Sequence, residues 1–77
     1  MTKDDLFFYT EAKQILEFEY DAKIYRLSYD KDSNGKDIIS FGRLYEEEKF
    51  SSFKDLMVRA KIGNSFFREM LDVIKLV

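Results

Sequence analysis

Acidic side chains carry most of the chemistry this sequence offers. Asp30, Asp32 and Asn34 fall at alternate positions and Gly35 follows, which is how a helix–loop–helix calcium site begins. Glu17 and Glu19 share one face of a predicted strand, and Glu46, Glu47 and Glu48 are consecutive. Paired carboxylates of this kind can hydrolyse glycosides or hold a metal. Arg59, Lys61, Arg68 and Lys75 fall in the C-terminal part of the chain and offer a small set of phosphate contacts. The sequence has no histidine and no cysteine. That removes the commonest general base, the commonest metal ligand and every thiolate or disulfide.

The elements that must position these groups decide between the readings. Counted from Asp30, the twelfth position of a calcium loop needs a bidentate Glu, and Phe41 stands there. Both flanks alternate as strands do. "LEFEY" puts Leu16, Phe18 and Tyr20 on one face, and "KIYRLSY" puts Tyr25, Leu27 and Tyr29 on one face. A two-residue loop at Asp21-Ala22 pairs Phe18 with Tyr25, Leu16 with Leu27 and Glu17 with Arg26. Ala22 is an imperfect residue for such a turn, where Gly is ideal. A loop of Ser33-Asn34-Gly35 then pairs Tyr29 with Ile39, Leu27 with Phe41 and Lys31 with Asp37. Slipping it by one residue sets Asp32 against Asp37 and spoils the apolar face. "DKDSNG" is therefore predicted to be a hairpin turn with Gly35 left-handed, and no metal or other cofactor is expected.

The remaining segments read as helices. Thr2 and Asp5 form a capping box for a helix over 2–14, and Ser52 and Asp55 form another for a helix from Phe53 to Lys61. Gly63 ends that helix, and a last one is predicted over roughly 65–76, with Met70, Leu71, Ile74 and Val77 in its apolar stripe. The expected fold is α+β: an N-terminal helix, a three-stranded antiparallel β-meander, and two C-terminal helices packed on one sheet face. One domain is the prior for 77 residues. A core this small reaches only about 3–5 kcal/mol without staples, so eight Phe and five Tyr are expected inside it.

Charge narrows the function. The net charge is −2, divided as seven cations against twelve acids in residues 1–48 and six against three in residues 49–77. Neither part reaches the basic balance of a nucleic-acid binder. The last helix sets Arg68 and Lys75 against Glu69 and Asp72, a poor reader of a DNA groove. Aromatics at strand period belong to the core and not to a base-stacking platform. No second element supplies a nucleophile, a matching acid or a phosphate loop, which argues against an enzyme. No leader peptide or membrane span is expected, and a cytoplasmic protein is the plain expectation.

The segments "LEFEYDAKIYRLSYD" and "LYEEEKFSSFKDLMVRAKIGNSFFREMLDVI" resemble small uncharacterised proteins of phages and mobile elements of Gram-positive bacteria. The resemblance implies accessory work by protein binding, as in an anti-CRISPR-like inhibitor of a host defence nuclease. Its motifs are structural, and no functional residue carries over. The expected function is therefore a protein–protein interaction module. Its expected contact residues are Tyr45, Glu46, Glu47 and Glu48 on a loop and Glu17 and Glu19 on the polar sheet face, docking on a basic partner surface. The alternatives are weak nucleic-acid binding through Arg59, Lys61, Arg68 and Lys75, and a structural homodimer.

Overall fold

A computed structural model describes all residues, Met1–Val77. The class is α+β, but the architecture differs from the expected one. One sheet has five antiparallel strands, in the spatial order Glu48–Phe50, Asp37–Arg43, Lys23–Lys31, Leu16–Tyr20 and Lys75–Leu76, and a second holds two short strands, Lys61–Ile62 and Ser65–Phe66.

Helix α1 spans Lys3–Glu11, and its capping box is complete: Thr2 Oγ1 accepts from the Asp5 N–H and Asp5 Oδ2 accepts from the Thr2 N–H, each at 3.1 Å. The helix stops short of residue 14 because Lys13 turns left-handed at φ 54. The amides of Lys13 and Gln14 then close on the carbonyls of Thr10 and Tyr9, which satisfies the last turn. Strands β1 (Leu16–Tyr20), β2 (Lys23–Lys31) and β3 (Asp37–Arg43) pair in the register expected from cross-strand matching. Asp21 and Ala22 turn the first hairpin with φ of 53° and 59°. In the second, Gly35 has φ 78, and Asp32 Oδ1 accepts from the amides of Asn34 and Lys36 at 2.8 and 2.9 Å. The Asp32 carboxylate is thus satisfied by the turn's own backbone.

Two corrections follow. The sheet is not a three-stranded meander, because Glu48–Phe50 forms β4 against β3, with Phe41 opposite Glu48 and Ile39 opposite Phe50. Phe50 is a fully enclosed core residue of that strand. The last helix does not exist. Helix α2 runs Phe53–Arg59, and Ala60 is already extended at ψ 139. Lys61–Ile62 (β5) and Ser65–Phe66 (β6) make a small hairpin about Gly63-Asn64, followed by one 3-10 turn at Phe67–Glu69. Lys75–Leu76 (β7) then pairs with β1, and the Val77 amide donates to Glu17 O at 2.8 Å. The physical reason lies in the sheet. A helix over 65–76 would leave the outer backbone groups of β1 unpaired, and short helices draw their stability from packing more than from propensity.

The second cap is also shifted. Ser52 Oγ accepts from the Asp55 amide at 3.0 Å, but the Asp55 carboxylate reaches the amide of Ser51, not that of Ser52.

The inner sheet face, with Leu16, Phe18, Tyr25, Leu27, Ile39 and Phe41, packs against Leu6 of α1, Leu56 and Met57 of α2, and Ile62, Phe67 and Leu71 beyond it. Phe67 is the hub, stacked on Phe41 at 4.1 Å and edge-on to Phe18 at 5.7 Å. No helix is long and apolar enough to cross a membrane.

Candidate functional site: a charged cleft at the end of the sheet

The inner face runs on past the core. Tyr25 and Lys23 follow Leu27 along one face of β2, and Arg43 follows Phe41 on β3 and pairs with Tyr25. These residues, with Glu48 and Phe50 of β4, floor a cleft of about 560 Å³. One wall is the chain from Arg59 through Lys61 to Gly63 and Asn64, and the other is the β3–β4 turn with Gly42 and Glu46.

Each wall is fixed by identifiable bonds. Tyr25, almost wholly buried, stacks on Phe41 with centroids 6.1 Å apart, and its hydroxyl accepts from the Gly63 amide at 3.1 Å. Arg59 lies over the Phe50 ring at 4.7 Å and donates to Lys49 O at 3.2 Å. Its Nε and Nη2 grip Asp55 at 2.6 and 2.9 Å. The Arg59 hydrogen bond, joined by the Ser51 amide, holds the Asp55 carboxyl far below the usual carboxylate range. Asp55 chiefly, and Glu48 more weakly, raise the Arg59 pKa in return. On the other side, the turn folds back over Gly42 so closely that a Cβ there would stand 2.9 Å from Glu46 O. At the turn's tip Tyr45 is 90% exposed and holds φ 73. That is a strained backbone for a side chain of this size.

The cleft carries both signs of charge. Lys23, Arg43, Arg59 and Lys61 face Glu46 and Glu48. Arg59 is engaged by Asp55 and Lys23 lies 3.8 Å from Asp21, whereas Arg43, Lys61, Glu46 and Glu48 take part in no ion pair. No three acids converge as a metal-holding group would require.

The structure divides the residues singled out in the sequence. Glu46 and Glu48 from the acidic set and Arg59 and Lys61 from the basic set line the same cleft, and Tyr45 directly precedes Glu46 in the turn that forms one wall. Glu47, half-buried, lies outside the lining. Glu17 and Glu19 sit on the outer sheet face in register with Arg26 and Lys75, apart from the cleft lining. Arg68 is also elsewhere: it lies over Phe66 at 4.3 Å and donates to the carbonyls of Met57 and Val58 at 2.8 and 3.2 Å. Lys23, Arg43 and Asn64 were not singled out. A signal for the first two existed, because the alternation of β2 and β3 carried one step past the core puts a cation on the inner face.

No protein-family model matches the chain, and neither the curated proteins nor the solved structures hold a match.

Proposed function

We propose that this chain is a non-enzymatic interaction module that binds another protein through the cleft and the Tyr45 turn. The observation that carries this is Tyr45, an aromatic side chain 90% exposed on a backbone at φ 73. Strained backbone persists where the surroundings impose it and clusters at binding sites, and tyrosine is enriched among the residues that dominate interfaces. Behind it, unpaired acids and cations suit a partner loop carrying charges of both signs. In the finer form of the proposal, the partner is a nucleic-acid-processing or defence protein whose basic surface is occluded. Glu46 and Glu48 then receive its cations. The nucleic-acid alternative keeps Arg59 and Lys61 but loses Arg68 and Lys75 as members of one patch.

The test is affinity capture from host lysate with and without nuclease, run with the wild type and with Tyr45→Gly. Glycine relieves the turn, so the variant is expected to be at least as stable while losing the partner. A partner held equally by both forms removes Tyr45 from the interface. Capture that disappears with nuclease favours the nucleic-acid alternative.

A further inference from the structure

A second surface, on the helices and away from the cleft, is complementary to itself. Helix α1 buries Leu6 and Thr10. Its opposite face presents Asp4, Phe8 and Glu11, spaced i, i+4, i+7 and all exposed, with Phe8 60% uncovered. Beside it a groove of about 410 Å³ has Phe53, Met57 and Val58 as its apolar lining and Lys3, Lys54 and Arg68 as its charged lining, with no acid among them. Phe7 stands edge-on to Phe53 at 5.1 Å and is itself 45% exposed. One patch is thus a bare aromatic ring between two acids, and the other is an apolar groove with cations around it.

Both sets of charges lack partners within the chain. Lys3, Lys54, Asp4 and Glu11 take part in no ion pair. We infer that the groove receives Phe8 of a second copy of this chain, with Asp4 and Glu11 of that copy against Lys3 and Lys54. Because the patch and the groove adjoin each other on α1, one twofold axis beside α1 satisfies both at once. The contact then closes as an isologous dimer and does not propagate. Desolvating Phe8 in an apolar groove supplies the attraction, and the four charges set the orientation and the choice of partner.

Sedimentation velocity of the whole chain from micromolar to millimolar concentration tests this. The expected result is a monomer–dimer equilibrium that weakens as salt is raised. Phe8→Ser is expected to weaken the dimer by about tenfold or more, with an unchanged far-UV spectrum because Phe8 is 60% exposed and outside the buried core cluster. Charge exchange gives the sharper result. Asp4→Lys with Glu11→Lys gives one variant, and Lys3→Glu with Lys54→Glu gives the other. Each is expected to stay monomeric alone, and their mixture to form a one-to-one dimer with both contacts restored. A wild type that remains monomeric at millimolar concentration overturns the inference. So does a dimer that Phe8→Ser leaves intact, or a folded variant pair that fails to associate on mixing.

Discussion

The Tyr25 hydroxyl accepts a hydrogen bond from the Gly63 backbone N–H at 3.1 Å, tying the floor of the cleft to its far wall across 38 residues of sequence. Removing that oxygen leaves the ring packed on Phe41 and frees the hairpin. Tyr25→Phe is expected to cost about 1 kcal/mol in urea unfolding and to raise amide exchange at Gly63 and Asn64 selectively. Exchange that rises equally across the sheet would mean that the bond holds the core and not the wall.

Ala22 sits in the first hairpin turn at φ 59, where its Cβ crowds the following carbonyl oxygen. Ala22→Gly removes that crowding at the cost of a more flexible unfolded chain. The expected net gain is about 0.5–1 kcal/mol, read as a higher urea midpoint with an unchanged slope. A loss of stability would show that the alanine methyl makes a contact worth more than the turn strain.

Gly42 is the opposite case. A Cβ would meet backbone atoms of Glu46 and Glu47 at 2.9 and 3.0 Å, and backbone cannot move aside as a flexible side chain can. Gly42→Ala is expected to cost about 2 kcal/mol and to displace the turn bearing Tyr45. Under the proposed function, partner binding falls with it, while Phe67 and its neighbours in the core keep their NMR shifts.

Four carboxylates sit below their usual range: Asp55 through Arg59, Asp5 through the Thr2 amide, Asp30 through the Lys31 amide, and Asp37 through Lys31 and then Lys13. A depressed folded pKa means that the unfolded chain binds protons first as pH falls. Their stabilisation is therefore fully present above about pH 4, the ordinary carboxylate range, and is lost as pH drops through the lowered values. Urea midpoints measured downward from pH 5 are expected to fall, and Asp55→Asn is expected to flatten that fall more than Asp5→Asn. An equal slope for wild type and Asp55→Asn would place the acid sensitivity elsewhere.

Where each side chain has one partner strand and two possible faces, the sequence is decisive. Matching Leu27 to Phe41 and Lys31 to Asp37 picks one register, and the ladder adopts it. The C-terminal part offers no such constraint. Phe67, Met70, Leu71 and Ile74 suit a helical stripe, yet Ile62 reaches the core from a hairpin and Phe67 from a tight turn, and Lys75–Leu76 completes the sheet. What decides is the bare edge of β1, a property of the assembled sheet that no local window contains. The cleft was half legible for the same reason. Its charged residues stood out as two rival sets, acidic and basic, and only the folding of β4 and β5 toward each other makes them one site.

The order of the large sheet carries a consequence for how the chain assembles. Strands β1 to β4 each lie beside their sequence neighbour, so every loop among them closes over a short distance. Strand β7 alone returns from far along the chain, through two residue pairs and one further amide. Ring closures over short separations are fast, and long ones wait for them. The meander is thus the natural folding nucleus and β7 the last strand to zip. Leu76→Ala should then hasten unfolding and leave the refolding rate nearly untouched, so that β7 acts as a latch on the native state's lifetime rather than as a guide to its formation.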